Sequence, residues 1–310
     1  SEIQELRLNR ESHWRFKLDL ERINWKDGIL GDLSIDAASV SDPVLIRGDG
    51  QFLYTLASVC DDVDFGITNV VRGSDHVTNT ATQIQIIESL GGNVPDFSHH
   101  SLLTGSKGEP LSKRLGTLSL RDLRANGLEP MAILSYMSRL GSSEAIELFD
   151  NIDDLAENFD ISNFGAQPTK FDLTDILPLS KKYISGLDVS EVYDNLKASG
   201  VPSDIAPNFW LIVRENISTR AEIKHWWSIC SEGVTPVIDK EDIKFIEIAK
   251  SLLPVGNFDE NTWKNWTSEI KAITGRKGKT LFMPLRKALT GMEHGPDMSR
   301  LLPLLQKINI

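Results

Sequence analysis

The stretch that decides the fold is Ile67-Thr-Asn-Val-Val-Arg-Gly-Ser-Asp-His-Val-Thr-Asn-Thr-Ala-Thr-Gln-Ile-Gln-Ile-Ile-Glu-Ser-Leu-Gly-Gly92. Its first part, Ile67 to Arg72, is short and rich in β-branched residues, which is typical of a buried strand. Residues 78–80 are competent helix caps, and apolar residues then recur every three positions: Ala81, Ile84, Ile87 and Leu90. Gly91-Gly92 ends that helix. Strand, polar loop and helix in this order predict one βα unit of a parallel sheet.

Upstream of this unit, short strand-like segments are separated by turn signals. Trp14–Leu20 alternates apolar and polar residues, which predicts a half-buried strand, and Trp25–Gly28 predicts a turn. Val44–Arg47 and Phe52–Ala57 are two further strand-like runs, and the glycines of Gly48–Gly50 predict a tight turn between them. These units are too few for a complete doubly wound fold, so we expect a partial Rossmann-type parallel sheet.

From about Asp122 onward the strand signals vanish and helical periodicity dominates. Ala132–Gly141 predicts a short helix closed by glycine, and Asp242–Leu253 predicts an amphipathic helix that Pro254 terminates. Five tryptophans fall in this half, where core packing is a better interpretation than base stacking: Trp210, Trp226, Trp227, Trp263 and Trp266. The expected fold class is therefore α/β followed by all-α, mostly helical overall.

Composition limits the classes of partner. The 310 residues suggest two or three domains, and the net charge of −11 disfavours non-specific binding to a phosphate backbone. Any RNA contact must be local, at basic clusters such as 181–182, 276–279 and 286–287. No apolar run approaches the ~18 residues of a membrane span. The two cysteines, Cys60 and Cys230, fit a reducing cytoplasm and make no zinc site.

The loop Gly105–Gly116 contains Ser112-Lys113-Arg114. A lysine on a glycine-flanked, mobile loop suits an adenylate-forming reaction, because it can meet the charge that grows on pyrophosphate in the transition state. Taken alone, these three residues are better interpreted as an exposed basic loop without a role.

Two motifs together change that interpretation. Val70-Val-Arg-Gly-Ser-Asp-His76 and Leu111-Ser-Lys-Arg114 resemble the Val-Ile-Arg-Gly-Glu-Asp-His and Lys-Leu-Ser-Lys-Arg motifs of bacterial-type glutamyl-tRNA synthetases, which are class I enzymes. The second motif is that family's version of the KMSKS loop. The C-terminal run Gly278–Gly295 is similar to the anticodon-binding end of the same family. The resemblance extends from about residue 14 to about residue 305.

The sequence also departs from the family pattern. Pro110 stands where the signature loop usually begins with lysine, Ser74 stands where glutamate is usual, and the nearby Lys107 is a candidate substitute for the lost cation. No His-Ile-Gly-His-like motif occurs in the 310 residues. The chain therefore looks like the C-terminal two-thirds of a synthetase, and we expect it to be inactive as an isolated fragment.

The resemblance implies roles for individual residues. It implies catalysis by Ser112, Lys113 and Arg114, and ATP binding by Asp75, His76, Leu103 and Lys113. It implies glutamate binding by Tyr54, Ser58 and Arg72. The Arg72 guanidinium is chemically suited to grip a carboxylate, since it donates two parallel hydrogen bonds. The structural alternatives are an ion pair of Arg72 with Asp61 or Asp62, and a simple turn cap for Asp75-His76.

The resemblance also implies an organisation and a reaction. Residues 1–40 would end the acceptor-binding insertion, 41–116 would form the second half of the nucleotide-binding domain, 117–178 the stem-contact helices and 179–310 the helical anticodon-binding domain. The implied reaction ligates L-glutamate to tRNA through a glutamyl-adenylate, with ATP and Mg²⁺, in a cytoplasmic monomer. No metal site is expected in the protein, because the adjacent His99 and His100 point to opposite faces of a strand.

Three alternatives remain to be weighed. A glutaminyl-tRNA synthetase shares the catalytic motifs, but it reads the anticodon with β-barrels, which the helical second half disfavours. A truncated paralogue that modifies a tRNA base lacks the anticodon domain altogether. A non-catalytic tRNA-binding module is the alternative from a different class. The sequence does not show which residues read the anticodon, or whether the parent protein also mischarges the glutamine tRNA.

Overall fold

The computed structural model describes residues 11–105, 107–109 and 119–310, and the chain divides into two compact units. Unit 1 takes in residues 1–115, 138–146 and 156–172, and unit 2 takes in residues 116–137, 147–155 and 173–310. The first carries the strands and the second is helical, as the change of pattern near Asp122 indicates.

Unit 1 is built from short strands that pair two by two, with two helices. The strands are β1 (Trp14–Arg15), β2 (Arg22–Asp27), β3 (Gly31–Asp36), β4 (Val44–Ile46), β5 (Asn69–Gly73), β6 (Asp96–His100), β7 (Leu103–Thr104) and β8 (Thr169–Lys170). The helices are α1 (Tyr54–Asp64) and α2 (Val77–Ser89). The β1–β4 and β2–β3 pairs are antiparallel, and the β5–β6 and β7–β8 pairs are parallel.

The predicted βα unit is confirmed. Strand β5 leads through a turn into α2, and the next strand, β6, returns parallel to β5 with Arg72 opposite His99. Helix α2 is buried without interruption from Thr80 to Ile87. Its Ala81 and Ile84 pack with Phe97 of β6, and its last buried turn packs on α1. The unit therefore fixes the carboxyl end of β5 against the amino-terminal half of α2.

The segment before the unit differs from expectation. Only Trp14 and Arg15 of the predicted Trp14–Leu20 strand pair in a strand, with β4. The alternation holds in the middle, where Leu18 is buried between exposed neighbours, and fails at the ends, where Trp14 and Leu20 are 71% and 76% exposed. The turn predicted at Trp25–Gly28 was placed too early. Strand β2 runs to Asp27, and the turn follows it at residues 28–30.

The strand predicted at Phe52–Ala57 is wrong, because a helix begins within it. Phe52 makes a single bridge to Ile46 after the expected tight turn, and α1 then starts at Tyr54. The apolar residues of α1 recur at helical spacing, with Leu56, Val59 and Val63 in one cluster beneath α2. That period lies mostly beyond residue 57, so the six-residue window resembled a strand.

Unit 2 is built almost entirely from helices around one apolar core. In chain order the helices are α3 (Leu120–Ala125), α4 (Pro130–Met137), α5 (Ile152–Glu157, which runs across the boundary of the units), α6 (Ile176–Gly186), α7 (Val189–Ala198), α8 (Ala206–Val213), α9 (Glu222–Glu232), α10 (Ile243–Ser251), α11 (Thr262–Thr274), α12 (Lys279–Thr290) and α13 (Met298–Leu301). The helices predicted at Ala132–Gly141 and Asp242–Leu253 are confirmed as α4 and α10, each shorter than expected.

The tryptophans of unit 2 belong to its core, as predicted. Trp210 and Trp266 are fully buried, and Trp226, Trp227 and Trp263 join the same cluster. The indole N–H of Trp210 donates to the Leu187 carbonyl and that of Trp266 to the Ala249 carbonyl, each at 2.9 Å. Burial of these large side chains is therefore achieved without leaving their polar N–H groups unpaired.

Candidate active site

Arg72 lies in β5, one residue from the strand's end, and its guanidinium is held along one edge. Its Nε donates to Nε2 of His99 at 3.2 Å, and its Nη2 donates to the Thr80 hydroxyl at 2.6 Å. The guanidinium carbon lies 5.4 Å from the centre of the Phe97 ring. The Nη1 group keeps its donors, and within the described residues it has no hydrogen-bond partner. This arrangement leaves the outer end of the guanidinium able to bind a carboxylate.

The ion pair considered for Arg72 does not form. Among the described residues Arg72 makes no salt bridge with Asp61 or Asp62. Burial raises the pKa of the Asp62 carboxyl, Arg72 acts to lower it and Asp61 acts to raise it, and the net direction is upward. The charge of Arg72 is therefore felt at Asp62, while its hydrogen bonds go elsewhere.

His99 and Asp27 form a fully buried pair beneath Arg72. Nδ1 of His99 lies 2.5 Å from Oδ2 of Asp27, and both side chains are completely buried. Asp27 reaches this position because the turn after β2 lies directly on β6, where the Gly28 N–H donates to the Phe97 carbonyl at 2.9 Å. A Cβ at Gly28 would overlap the Ser98 hydroxyl oxygen, so a larger residue there would require that hydroxyl to turn away.

Tyr54 and Ser58 lie one turn apart on α1. Tyr54 is 54% exposed, and its ring lies 5.8 Å from that of His76, centre to centre. The Ser58 hydroxyl accepts a hydrogen bond of 3.0 Å from Nε2 of Gln83. Thr80 and Gln83 are neighbours on one face of α2. Helix α2 thus supplies one contact to Ser58 and one to Arg72, and links two of the predicted glutamate-binding residues.

Asp75 and His76 lie in the single helical turn Ser74–His76 that joins β5 to α2. Their side chains are within 3.9 Å of each other, and Nδ1 of His76 lies 3.4 Å from Nδ2 of Asn79. Asp75 is exposed, and its carboxylate therefore remains accessible to a ligand. The third predicted ATP-binding residue within the described ranges, Leu103, lies in β7, which pairs with β8 and not with β5 or β6.

The signature loop lies outside the described residues. This applies to Ser112, Lys113 and Arg114 and to the unusual Pro110. Before the loop, the Gly105 N–H donates to the Glu109 carbonyl at 2.7 Å. Lys107 is exposed between these two residues, and its backbone N–H donates to the Glu109 carboxylate at 3.0 Å.

Four side chains of this region were not identified from the sequence: Asp27, Thr80, Gln83 and His99. Each is a polar residue on an otherwise apolar strand or helix face, and each is buried. Thr80 was expected to cap α2, and it accepts the Arg72 hydrogen bond instead. A polar residue at a buried position of a periodic pattern is the signal that could have drawn attention to them, because such groups are retained only when they are hydrogen-bonded.

The basic clusters of unit 2 are partly engaged within the chain. Arg276 pairs with Asp242 and lies over the Phe245 ring, 4.2 Å from its centre. Lys287 pairs with Asp239 at 2.7 Å. Burial lowers the pKa of Arg286, with Asp297 acting in the opposite direction. A cleft beside α12 brings together both ion pairs and Lys279.

No helix among the described residues is long and apolar enough to cross a membrane. The same residues contain no group of three or more His, Cys, Asp or Glu side chains arranged to hold a metal ion.

Comparison with known proteins places the chain in a family. Residues 2–178 match the catalytic domain of class I tRNA synthetases (E and Q), and residues 211–310 match an anticodon binding domain. Glutamate–tRNA ligase 1 of Roseobacter denitrificans is 64% identical over 95% of this chain and 67% of that protein. Glutamate–tRNA ligase 2 of Jannaschia sp. is 61% identical over 94% of this chain and 65% of that protein.

A solved structure supports the fold. A glutamate tRNA ligase from Elizabethkingia meningosepticum, in complex with its amino acid, matches with a TM-score of 0.76 at 22% identity, over 98% of this chain and 68% of that one. The chain spans about two thirds of the length of the curated relatives it matches. The catalytic-domain match covers more than half of the chain and the curated relatives share most of its residues, so the chain belongs to the class I tRNA synthetases of the glutamate and glutamine type, among the glutamate–tRNA ligases.

Proposed function

We propose that the whole protein carrying these 310 residues is a glutamate–tRNA ligase. It activates L-glutamate with ATP to form glutamyl-adenylate and pyrophosphate, and then transfers the glutamyl group to tRNA. The single observation that carries the proposal is the high identity to glutamate–tRNA ligases along nearly the whole chain. The geometry around Arg72 supports the choice of an acidic amino acid.

Glutamate binding is assigned to Arg72, Tyr54 and Ser58. The free outer end of the Arg72 guanidinium offers only N–H donors, which fits the two acceptor oxygens of a side-chain carboxylate. Tyr54 and Ser58 present hydroxyl groups from the adjoining face of α1. A glutamine substrate would bring an amide NH₂ towards the same donors, and this mismatch favours glutamate over the glutamine alternative.

ATP binding is assigned to Asp75, His76, Leu103 and Lys113. The exposed Asp75 carboxylate is suited to the ribose hydroxyls, and Ser112, Lys113 and Arg114 belong to the loop that stabilises the departing pyrophosphate. Mg²⁺ would accompany the ATP phosphates, because this ion is usually held by phosphates, water and one or two carboxylates. The described residues contain no cluster built for it, and no step of the proposal depends on it.

The tRNA would be held at two places. Residues 179–310 are assigned to the anticodon and residues 117–178 to the stem, with residues 1–40 ending the acceptor-binding insertion and 41–116 forming the second half of the nucleotide-binding domain. The match to an anticodon binding domain supports the first assignment. The protein is proposed to act as a cytoplasmic monomer.

The decisive experiment substitutes Arg72 in the full-length protein. Arg72→Ala should lower kcat/KM for glutamate by the equivalent of about 2–5 kcal/mol, because the substrate carboxylate loses its partner in a desolvated site. The KM for ATP should stay nearly constant. Arg72→Lys should rescue poorly, since it keeps the charge and loses the planar fork. An equal loss for both substrates, with a lower melting temperature, would mean that Arg72 is only structural.

The loop is tested separately by Lys113→Ala. We expect a decrease in the rate of adenylate formation of roughly 10²–10³-fold at nearly unchanged ATP affinity, as for other single electrostatic donors. Lys107→Ala should also slow this step if it replaces the cation absent at Pro110. Near-normal kcat for Lys113→Ala would make the loop a surface feature. A full-length protein that binds tRNA without glutamate-dependent ATP–pyrophosphate exchange would be a binding module.

A further inference from the structure

We propose that His99, held by Asp27, is a positioning residue that aims the guanidinium of Arg72 at the side-chain carboxylate of the glutamate substrate; the inference rests on the function proposed above for Arg72. The two side chains lie next to each other because β5 and β6 are parallel and Arg72 is in register with His99. The contact is a hydrogen bond between side chains that are separated by 27 residues in the sequence.

The protons of this contact can be assigned from chemistry. An arginine guanidinium only donates, so Nε2 of His99 must accept in the 3.2 Å bond from Nε of Arg72. The imidazole therefore carries its proton on Nδ1, which donates to Oδ2 of Asp27 at 2.5 Å. The Thr80 hydroxyl also lies 3.0 Å from Nε2 and can donate to it. The neutral tautomer with its proton on Nδ1 satisfies both Arg72 and Asp27, and its assignment follows from the hydrogen-bond network.

Asp27 is itself fixed in place. Its Oδ1 accepts hydrogen bonds of 3.0 Å from the backbone N–H groups of Ile29, Leu30 and His99. Burial acts to raise the pKa of Asp27, but the hydrogen bonds from the His99 side chain and from these backbone groups bring it below its ordinary value. The carboxylate is therefore charged at neutral pH and determines which ring nitrogen of His99 carries the proton.

The consequence for Arg72 is directional. His99 and Thr80 occupy donors on one edge of the guanidinium, Nε and Nη2, and the free donors point away from that edge. Without the acceptor at His99, the guanidinium could rotate about its last side-chain torsions and would no longer present one fixed end to a substrate. Fixing this direction in the absence of substrate reduces the ordering that binding would otherwise require.

Two substitutions of His99 separate its two contacts. His99→Asn keeps an amide donor near Nδ1 for Asp27 and removes the acceptor for Arg72, whereas His99→Gln places an acceptor near the position of Nε2. In the full-length protein, His99→Asn should lower kcat/KM for glutamate about 10- to 100-fold, by analogy with the loss of hydrogen-bond partners that orient metal ligands. The loss should appear mainly as a higher KM for glutamate. The KM for ATP should change by less than about twofold, because His99 is proposed to act only through Arg72.

His99→Gln should recover most of the lost glutamate affinity. The matched control is His100→Asn, which changes the neighbouring, exposed histidine of the same strand and should leave both KM values unchanged. If His99→Asn and His99→Gln instead lowered the melting temperature equally and weakened both substrates alike, the role of His99 would be structural and the proposal would be wrong.

Asp27→Asn tests the tautomer. The amide can donate to Nδ1, which would move the imidazole proton to Nε2 and set two donors against each other at Arg72. This variant should therefore weaken the binding of glutamate at least as much as His99→Asn does. Asp32→Asn, an exposed aspartate of the same hairpin, is the control and should have no effect. Unchanged glutamate kinetics in a folded Asp27→Asn protein would contradict the proposal.

A double-mutant cycle completes the test. If His99 acts through Arg72, His99→Asn should change glutamate kinetics less than about twofold when Arg72 is already alanine, because coupled residues are non-additive. Suppose that the wild-type enzyme is active and that Arg72→Ala selectively impairs glutamate. If the losses in kcat/KM from His99→Asn and Arg72→Ala then add up in the double variant, only the positioning role of His99 is overturned.

Two other results concern the earlier proposals. An inactive wild-type enzyme would overturn the proposed function, and an Arg72→Ala enzyme with unchanged glutamate preference would overturn the assignment of Arg72. Either of the last two results would also remove the basis for the proposed role of His99.

Discussion

Unit 1 and unit 2 bury different kinds of side chain at their centres. Around β6 and α2 of unit 1, the buried groups include the polar side chains of Asp27, Thr80, Gln83 and His99. In unit 2 the centre is formed by large apolar side chains, with Trp210 and Trp266 fully enclosed. The polar atoms of those two tryptophans donate to backbone carbonyls of neighbouring segments.

This difference indicates that buried side chains serve different purposes in the two units. A buried polar side chain contributes little net stability, because hydrogen bonds within the protein replace hydrogen bonds to water, but it fixes the direction of its partner. A buried indole contributes mainly through the area it removes from water. Substitutions should therefore change substrate kinetics in unit 1 and the free energy of unfolding in unit 2.

The largest expected effect is on the stability of unit 2. Trp210→Ala should lower its free energy of unfolding by about 3–5 kcal/mol, because a fully buried side chain is replaced by a cavity and the Leu187 carbonyl loses its donor. Denaturant unfolding followed by tryptophan fluorescence measures this change. Tyr193→Ala, at a residue 44% exposed on α7, is the control and should cost far less. A loss below about 1 kcal/mol for Trp210→Ala would contradict a tightly packed core.

The second prediction compares the two cysteines. Burial raises the pKa of Cys230 on α9 from the ordinary 9.0 to about 12, so its thiolate fraction near neutral pH falls by roughly a thousandfold. Cys60 on α1 is only half-buried. A disulfide reagent at pH 8 should modify Cys60 in the native protein and Cys230 only after unfolding. Equal rates for both thiols in the native state, checked with Cys60→Ser, would show that unit 2 opens readily.

The third prediction concerns the polar interior of unit 1. Thr80→Val keeps the shape of the side chain and removes the oxygen that accepts from Arg72, which should cost the equivalent of about 1–3 kcal/mol in glutamate kcat/KM. Thr82→Val is the matched control, because Thr82 is also buried on α2 and its side chain makes no hydrogen bond within the described part of the chain. If Thr80→Val and Thr82→Val had similar glutamate kinetics, the buried polar groups of unit 1 would not have the proposed effect on substrate binding.

The smallest expected effect lies at an exposed polar network of unit 2. At the start of α3, the Asp122 carboxylate accepts from the side chain and the backbone N–H of Ser119, and these bonds lower its pKa. A lowered pKa stabilises the folded state above the ordinary value of 3.8, and this stabilisation is lost as the pH falls through the folded-state value. The melting-temperature difference between wild type and Asp122→Ala should be constant from pH 7 to 5 and shrink below pH 4. If the melting-temperature difference stayed constant down to pH 3, the ionised Asp122 carboxylate would not be the source of the stabilisation.

The parts of the fold that sequence could predict are those where one period extends over a long segment. Helix α2 and the unit 2 helices show such periods, and β5 shows a short β-branched run. Helix α1 was missed because its first four residues belong to the strand-like run Phe52–Ala57, and the β2–β3 hairpin was missed because its turn follows Asp27. The sequence of a short segment does not by itself determine which of its faces packs against the core.

The candidate site could be predicted only where a motif names its residues. Tyr54, Ser58, Arg72, Asp75 and His76 were identified in this way, and their roles stay predictions. Asp27 and His99 were not identified, because their contact joins residues 72 positions apart and depends on the turn after β2 lying against β6. Pairing of distant polar groups is a property of the folded chain that no single local pattern carries.

The close approach of Gly28 to β6 has a consequence for the pattern of variation among related sequences. A Cβ at position 28 would overlap the present position of the Ser98 hydroxyl oxygen but clear the Cβ of Ser98. Positions 28 and 98 are therefore expected to covary, with a residue larger than glycine at 28 found more often beside alanine or glycine at 98. A substitution at either position changes what evolution can accept at the other, although neither residue contacts Arg72. The turn that carries Asp27 thus accepts a side chain at position 28 only where the facing strand makes room for it.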